Sequence, residues 1–436
     1  MRTVDPISGY SDTFVRFSFL IPWVVCITGG LLFFYEFIQL NIMNSLNLIL
    51  MREFHLTAIE VGHISSMYFY ANASLVWVAG LLLDRVSIKK LIIFSMVCCT
   101  AGTFVFGIAS ASWVLAVSRF VIGVGGAFCF LSAMRLASRW LPPSRLALAT
   151  GLIVTMAMLG GMMAQTPATL LIHAFGWRDM MMMNTTLGII ITCLVFFIVR
   201  DYPASYHEVV SQQKSDLSDM GVLNGLKVVV GKGQNWLAAI YNAFLNLPIF
   251  LLGALWGSPY LQQVVHLAPA EAASICGLIF LGTTVGSPVC GFISDRLQRR
   301  KLPMLVGAVA SMITILSILY VPNLSAVGLS ILFFLLGFFT STQIISYPVA
   351  SENNPRMVTA SAVSIVSMLN LFAGAFFQPI FGWVMDVNWH NTMLHGVRVY
   401  SATAYHNALL ILPLVFVVSI VCALLIKETR CRHLYD

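Results

Sequence analysis

Two short charged patterns, half a chain apart, constrain the fold of this sequence more than any other feature. Each begins with a glycine, followed after four and five residues by aspartate and arginine, and after nine and ten by two basic residues. The members are Gly80, Asp84, Arg85, Lys89 and Lys90 in the first copy and Gly291, Asp295, Arg296, Arg300 and Lys301 in the second, 211 residues later. Both copies lie between long apolar runs. A charged turn repeated in this way predicts a membrane protein built from two similar halves.

The composition supports a location in the membrane. The sequence is 59% hydrophobic and 9% charged, whereas a soluble domain carries about 25% charged residues. A helix needs about 20 apolar residues to cross the hydrocarbon core. Twelve runs qualify: 18–45, 59–83, 91–110, 113–138, 146–173, 178–199, 234–262, 270–293, 302–321, 324–349, 356–385 and 404–427. Because barrel strands would alternate apolar and polar residues, we expect an all-α membrane protein with twelve transmembrane helices.

The distribution of Lys and Arg predicts the orientation and the division into halves. With twelve spans both termini lie on one side, and that side holds twenty of the 24 Lys and Arg residues, against three on the other. A bias of this kind marks the cytoplasmic side. The longest polar stretch between spans predicts an N-terminal six-helix bundle (1–200), a cytoplasmic linker (201–233) and a C-terminal six-helix bundle (234–436).

Several classes of function are not favoured. Eight of the nine cysteines lie inside apolar runs and no C-x-x-C occurs, so neither a metal site nor a disulfide framework is expected. The net charge of +7 is spread over loops, which does not indicate nucleic-acid binding. The sequence contains no nucleophile–base pair or phosphate loop that would indicate an enzyme, and no cofactor is expected.

The charged pattern resembles a family signature. GLLLDRVSIKK at Gly80–Lys90 and GFISDRLQRRK at Gly291–Lys301 are similar to the cytoplasmic signature of the major facilitator superfamily, although Ser87 stands where that family usually has glycine. The motif beginning at Arg119 resembles the fourth-helix motif of the same family. This resemblance implies two six-helix bundles, alternating access, and a central cavity lined largely by spans 1, 4, 7 and 10.

A narrower resemblance is to the proteobacterial intraphagosomal amino-acid transporter (Pht) family. The similar segments are FFYEFIQ at Phe33–Gln39, LASRWLPPSRLALATGL at Leu136–Leu152 and AMLGGMMAQTP at Ala157–Pro167. This likeness implies an importer of amino acids or nucleosides in a bacterial inner membrane. Span five lacks the Gly-Pro pair of the drug–proton antiporters of the superfamily, which disfavours drug export.

The doubled hairpin is a candidate gate. The superfamily resemblance implies that its residues hold the two halves together on the cytoplasmic side and release them for inward opening. Each aspartate can accept hydrogen bonds or face a helix N-terminus. The gating candidates are Gly80, Asp84, Arg85, Gly291, Asp295 and Arg296. The alternative is that these positive loops only orient the chain.

Two ionisable residues lie deep inside predicted spans. Glu36 is the only such acid and Arg119 the only such base, and at about 1.5 Å per residue both fall in the outer half of the bilayer. An intramembrane ion is costly and is a functional candidate by default. Three roles remain open: a structural ion pair, a proton carrier at Glu36, or a grip on the ammonium and carboxylate of an amino acid.

Polar side chains on the predicted spans are the candidates for substrate contact. Pairs four residues apart share a helix face on spans one, seven and ten, and two amides lie on span eleven. The candidates are Tyr35, Gln39, Asn242, Asn246, Gln343, Tyr347, Asn370 and Gln378. Any one of them can instead join helices to each other. Such groups suit amino acids or nucleosides better than polyanions.

One more repeat connects the halves. Gly161-x-x-x-Gln165 in span five and Gly374-x-x-x-Gln378 in span eleven are 213 residues apart, and a proline follows each. Glycine and proline permit close helix packing or a bend, and both interpretations stay open.

Together these observations predict a secondary active transporter that imports a small polar nutrient, an amino acid, by proton symport with alternating access. The expected partners are that small molecule, protons and the lipid bilayer, with the chain acting as a monomer. Two alternatives remain: an exporter or a siderophore or nucleoside permease of the same fold, and a non-transporting membrane receptor.

Overall fold

The structure is a computed structural model that describes residues 12–141, 143–202, 229–355, 358–390, 392–394 and 397–432. Within this part the predicted all-α membrane fold is confirmed. Eleven described helices are long and apolar enough to cross a membrane, and Ala58–Arg85, with 28 residues, is a further helix of that length. Strand pairing in the described part is confined to a short antiparallel ribbon that joins Met393 to Arg398 and Leu394 to Val397.

Six helical spans form the first half of the chain. Their bounds are Asp12–Asn41 and Met43–Glu53 for span 1, Ala58–Arg85 for span 2, Ile88–Gly107 for span 3, Ser112–Trp140 for span 4, Pro143–Met163 and Thr166–Phe175 for span 5, and Trp177–Ile198 for span 6. Most of the predicted linker lies outside the described residues.

Six further spans form the second half. Their bounds are Gly233–Pro248, a π-helix at Ile249–Trp256 and Gly257–Gln263 for span 7; Pro269–Leu297 for span 8; Lys301–Tyr320 for span 9; Ala326–Thr340, a 3-10 helix at Ser341–Ile345 and Ser346–Glu352 for span 10; Thr359–Val387 for span 11; and Ala402–Leu409 and Ile411–Leu425 for span 12. Spans 7 and 10 are thus both interrupted near their centres.

Short polar residues begin several spans by capping their free N–H groups. Thr57 and Glu60 form a reciprocal capping box at the start of span 2. Ser87 accepts a hydrogen bond from the backbone N–H of Lys90 at the start of span 3. The serine that departs from the family signature therefore caps a helix.

Large apolar side chains cover the outside of the bundle. Trp113, Phe197 and Val327 are each mostly exposed. A water-soluble protein would bury such residues, whereas a helix that is apolar on all sides fits a lipid environment. The exposed apolar surface therefore agrees with a membrane location.

Three pairs of spans join the two halves: span 2 packs on span 11, span 5 on span 8, and span 1 on span 7. Successive spans cross in opposite directions, so the hairpins after spans 2 and 8 lie on one side of the membrane. We call that side the basic face and the opposite side the distal face. Span 1 ends, and span 2 begins, at the distal face.

Candidate functional site

An amide cluster, formed by Asn242, Asn246, Gln343 and Asn370, joins spans 7, 10 and 11. Asn246 Nδ2 donates to Asn370 Oδ1 at 3.1 Å, and Gln343 Nε2 donates to Asn246 Oδ1 at 3.1 Å. Asn242 Nδ2 donates to the backbone carbonyl of Gln343 at 2.9 Å. The sequence indicated these residues one by one, and the structure brings all four together.

The cluster lies near mid-depth, beside the two helix interruptions. Asn246 is 13 residues from Gly233 and Asn370 is 11 residues from Thr359, which places them about 17 to 20 Å from the basic ends of their spans. Pro248 and the π-helix follow Asn246, and Gln343 lies inside the 3-10 turn. Interrupted helices at this depth are where transporters of several folds place their ligands.

Two acceptor atoms of the amide cluster have no partner. Asn242 Oδ1 and Gln343 Oε1 are buried without a hydrogen bond, as is the nearby Ser346 Oγ. Gln343 and Asn370 are themselves partly exposed, and so is Tyr347, one turn along span 10 from Gln343. A buried acceptor without a partner is costly, so the cluster is suited to accept hydrogen bonds from N–H groups of a bound molecule.

Arg119 is held by the backbone of the first half. Its side chain is 1% exposed, with Nη1 donating to the carbonyl of Gln39 at 2.5 Å and Nη2 to that of Ser65 at 3.4 Å. The guanidinium lies 5.1 Å from the ring centre of Tyr68, within the range of a cation–π contact. Arg119 Nε has no hydrogen-bond partner.

Glu36 lies near Arg119 without contacting it. The glutamate is 2% exposed and its Oε2 has no hydrogen-bond partner. In the described part of the structure the two side chains form no ion pair within 4.0 Å. Glu36 is therefore a buried carboxylate near a cation with which it forms no ion pair, and two donors of that cation, Nη1 and Nη2, are taken by backbone carbonyls.

Tyr35 and Gln39 point into the first half. Tyr35 Oη donates to Thr103 Oγ1 and to the carbonyl of Asn184, at 3.4 and 3.2 Å. Asn184 Nδ2 donates to Gln39 Oε1 at 3.1 Å, while Gln39 Nε2 has no partner. The two residues share a helix face, as the spacing indicated, and that face lies against spans 3 and 6.

The π-helix of span 7 supplies free carbonyls to other spans. Gln378 Nε2, from span 11, donates to the carbonyl of Phe250 at 2.8 Å. Gln165 Nε2, from span 5, donates to the carbonyl of Gly253 at 2.9 Å. The two glutamines of the Gly-x-x-x-Gln repeat thus satisfy the backbone of one irregular segment, which explains how such a segment is tolerated in a membrane.

Two asparagines of span 1 bind the same segment from the opposite half. Asn47 Nδ2 donates to the carbonyl of Leu255 at 2.8 Å, and Asn44 Oδ1 accepts from the N–H of Ser258 at 2.9 Å. Asn44 Nδ2 also donates to Gln165 Oε1 at 2.7 Å. We call these contacts the distal seal. Neither asparagine is among the residues predicted to contact substrate, although polar residues three apart in an apolar run mark one helix face.

The hydrogen bonds between the two halves for which both partners are described all lie toward the distal face. They involve Asn44, Asn47, Gln165, and the start of span 2 near Ala58. The distal end of the molecule is therefore closed.

The gating candidates lie at the basic face. Asp84 and Arg85 have side chains outside the described part of the structure. Gly80 and Gly291 have nothing within 4 Å of a Cβ built on them, and Arg296 is exposed. Asp295 Oδ1 accepts a hydrogen bond from Arg300 Nη1 at 2.6 Å. In the second copy of the hairpin, the aspartate therefore binds an arginine of the same hairpin.

Arg300 also binds an acid that the sequence analysis did not single out. Its Nη2 lies 2.7 Å from Glu352 Oε1 at the basic end of span 10, and both residues are buried. Burial acts to lower the pKa of Arg300, but the hydrogen bonds to Glu352 and Asp295 outweigh it and raise that pKa above its ordinary value. The hairpin cation is therefore fixed in its charged form.

Comparisons with known proteins agree with this architecture. A sequence model described as Major Facilitator Superfamily matches residues 25–264 and 239–432. The chain is 25% identical over 307 residues to the probable sulfoacetate transporter SauU of Cupriavidus necator, covering 68% of this chain and 69% of that protein. It is 23% identical over 382 residues to the membrane sensor protein UhpC of Salmonella typhimurium, covering 82% and 83%.

A solved structure shows the same fold. It is a bacterial homologue of the human lysosomal transporter Spinster in an inward-facing, unoccupied conformation, and it matches with a TM-score of 0.74 and 16% identity over 93% of this chain and 96% of that one. The family match and the fold similarity both extend through the two halves. The chain belongs to the Major Facilitator Superfamily, and it is a multi-pass membrane transporter and not an enzyme.

Proposed function

We propose that the protein imports a small polar nutrient, an amino acid, by proton symport. The observation that carries this proposal is Glu36, a carboxylate inside the membrane with an unpartnered oxygen next to an arginine that it does not contact. A carboxylate in this position can exchange a proton during each transport cycle, because neither charge state is locked by a direct ion pair.

Unpartnered polar atoms near Arg119 and in the amide cluster support an amino acid as the substrate. Around Arg119 the first half holds unpartnered donors at Arg119 Nε and Gln39 Nε2 beside the unpartnered acceptor Glu36 Oε2, and the amide cluster of the second half holds unpartnered acceptors at Asn242 Oδ1 and Gln343 Oε1. A zwitterion with its carboxylate toward the first half and its ammonium toward the second would satisfy both sets. The resemblance to the intraphagosomal amino-acid transporters supports the same substrate class.

The orientation follows from the positive-inside rule. We place the basic face and both termini in the cytoplasm of a bacterium, with the chain working as a monomer in the inner membrane. The closed distal end then corresponds to an inward-facing state. Gln378 and Tyr35 act in this proposal by holding helices, while Asn246, Asn370 and Tyr347 line the substrate path.

Uptake into proteoliposomes tests the proposal. Thermal-shift screening of the purified protein against amino acids and nucleosides first identifies a ligand, because a ligand that prefers the folded state raises the melting temperature. We expect Glu36→Gln to abolish accumulation driven by a pH gradient and to retain exchange of labelled for unlabelled substrate. Asp179→Asn, at an exposed acid in the first turn of span 6, is the control and leaves both intact.

Two outcomes would contradict the proposal. Unchanged pH-driven accumulation in Glu36→Gln removes the proton role of Glu36. Ligand binding without any exchange in the parent protein points instead to a receptor, an alternative that the relative named as a membrane sensor also supports.

A further inference from the structure

We infer that Asp386 and Tyr400 form a distal latch, in which a carboxylate of the second half caps the N-terminus of span 2 in the first half and holds the distal entrance closed. The inference does not depend on the substrate or on proton coupling. It assigns a gating role to residues at the face opposite the charged hairpins.

The latch consists of three hydrogen bonds across the boundary between the halves and one hydrogen bond within the second half. Asp386 Oδ2 accepts from the N–H of Ile59 at 2.8 Å, and Oδ1 accepts from that of Ala58 at 3.3 Å. Tyr400 Oη donates to Asp386 Oδ1 at 2.6 Å and accepts from the N–H of Ala58 at 3.0 Å. First-turn N–H groups have no partner within their own helix and attract negative charge.

The carboxylate is fixed by its own half of the chain. The short ribbon after span 11 turns the chain back so that Arg398 Nη1 lies 3.3 Å from Asp386 Oδ1, while the Arg398 guanidinium lies 4.2 Å from the ring centre of Trp389. The Asp386 side chain is 15% exposed. Its hydrogen bonds are therefore partly shielded from water and are stronger than those of an open surface pair.

Tyr400 is held as a proton donor. Burial, together with the hydrogen bond to Asp386, raises the pKa of Tyr400 above its ordinary value. The hydroxyl thus keeps its proton at physiological pH and donates it to the carboxylate.

The two spans beneath the latch touch at backbone distance. A Cβ on Gly382 would lie 2.4 Å from the carbonyl oxygen of Ala58, and one on Gly62 would lie 2.8 Å from that of Gln378. Because Ala58 and Asp386 belong to different halves, any movement that separates spans 2 and 11 at this face must break the latch. The latch therefore stabilises only the state with a closed distal end.

At the matching seam between spans 5 and 8, the described residues form no such latch. The 213-residue offset of the Gly-x-x-x-Gln repeat places His173 where span 11 has Asp386. Span 8 begins with Pro269, which has no N–H, and carries Glu271 in its first turn. Of the seams that span 2 forms with span 11 and span 5 forms with span 8, only the first carries a latch of this kind in the described residues, so a substitution at Asp386 tests it apart from the distal seal.

Labelling of a distal reporter cysteine measures the latch directly. Ser258 is buried in the distal seal, so Ser258→Cys, in a background with the other cysteines replaced, reports opening to a membrane-impermeant maleimide. We expect Asp386→Asn to speed labelling from the distal side about tenfold (~1.4 kcal/mol), because the amide removes the negative charge at the helix start and replaces one of the two acceptor oxygens with a donor. Tyr400→Phe should speed it less, and Asp386→Glu should restore slow labelling in part.

Glu60→Gln provides the matched control. Glu60 accepts from the N–H of Thr57 at the same helix end but within one half, so its loss weakens the helix start without opening the entrance. Equal labelling in the parent, Asp386→Asn and Tyr400→Phe would overturn the latch, and so would equal acceleration by Glu60→Gln. If Asp386→Asn fails to fold, Tyr400→Phe, which removes one hydroxyl, decides alone. A latch that fails this test leaves the proposed symport untouched, since no substrate is involved.

Discussion

Phe69 of span 2 and Phe280 of span 8 occupy equivalent places in the two halves, and each fills the space beside a glycine of the opposite half. The phenylalanines are 211 residues apart, the same separation as the charged hairpins. A Cβ on Gly374 would lie 2.8 Å from the Phe69 ring, and one on Gly161 would lie 2.6 Å from the Phe280 ring. The glycine of each Gly-x-x-x-Gln repeat therefore packs against a phenylalanine ring from the opposite half.

This packing predicts that Gly161→Ala lowers stability. The new methyl group must displace the Phe280 ring, and overpacking of this kind costs about 1–3 kcal/mol. Thermal unfolding of the purified protein should show a lower melting temperature, which Phe280→Leu should partly restore by making room. Gly291→Ala is the control, since its Cβ meets nothing within 4 Å. A double variant no more stable than Gly161→Ala alone would argue against ring displacement.

The amide cluster predicts a loss of substrate affinity that a comparable loss of buried hydrogen bonds elsewhere does not cause. Removal of the Asn246 amide breaks the hydrogen bonds to Asn370 and Gln343, so Asn246→Ala should raise the KM for uptake about tenfold or more, the effect of ~1.4 kcal/mol. The matched control is Asn235→Ala, because Asn235 and Asn354 form a reciprocal buried amide pair near the basic ends of spans 7 and 10. That variant should lower the melting temperature and leave KM unchanged. A higher KM in Asn235→Ala and an unchanged KM in Asn246→Ala would place the substrate site near Asn235 and not at the amide cluster.

The buried pair of Arg300 and Glu352 predicts a large stability effect at the basic face. Glu352→Ala leaves a buried cation without its main partner, which costs about 3–5 kcal/mol. Asp295→Asn should cost much less, because the Asp295 side chain is 67% exposed. Denaturation monitored by intrinsic fluorescence gives the free energy of unfolding of the two variants. Equal losses of stability would show that Asp295 stabilises the hairpin as much as Glu352 does.

The C-terminal tail predicts a pH-dependent contribution. Glu428 accepts from the N–H groups of Arg300 and Lys301, at 2.8 and 3.0 Å, and so caps span 9. Burial opposes its charged form, but these backbone hydrogen bonds lower the pKa of Glu428 below its ordinary value. A lowered folded-state pKa gives stability that is present at neutral pH and is lost as the pH falls through that pKa.

Thermal unfolding across pH checks the tail. We expect Glu428→Gln to destabilise the protein at pH 7 by at most about 1 kcal/mol, since the carboxylate is partly exposed and screened. The difference from the parent should begin to shrink below about pH 4.3, the ordinary pKa of a glutamate, and should vanish only below the lowered pKa of Glu428. A difference that persists in acid would mean that the side chain acts through packing.

The fold was predictable because a lipid environment requires long apolar helices. The predicted helix bounds differ from the structure where polar residues form hydrogen bonds with the other half. Span 1 was expected to end at residue 45, yet it continues to Glu53. Asn44 and Asn47 lower the apolar character of that stretch, but their hydrogen bonds to span 7 compensate. The same two interpretations, close packing or a bend, were given for the prolines of both repeats. In the structure, span 5 is interrupted before Pro167, whereas span 11 continues as a helix through Pro379.

The site was predictable only in part. Helical spacing identified Asn242, Asn246, Gln343 and Asn370 as polar positions, but spacing gives a helix face and not its neighbour. Gln39 shows the limit, since its face turned out to lie against span 6. The partners of Arg119 are backbone carbonyls, which are invisible in a pattern of side chains.

Span 7 gives the molecule a mechanical link between its centre and its far end. Asn246 sits on one side of the π-helix and Ser258 on the other, and i→i+5 turns wind more loosely than α-helical ones. If that segment changed to an α-helix, Gly257–Gln263 would rotate about the helix axis. This rotation would move Ser258 away from Asn44. A ligand that contacts Asn246 could then change the position of Ser258, about 18 Å away along span 7, without moving any other helix first.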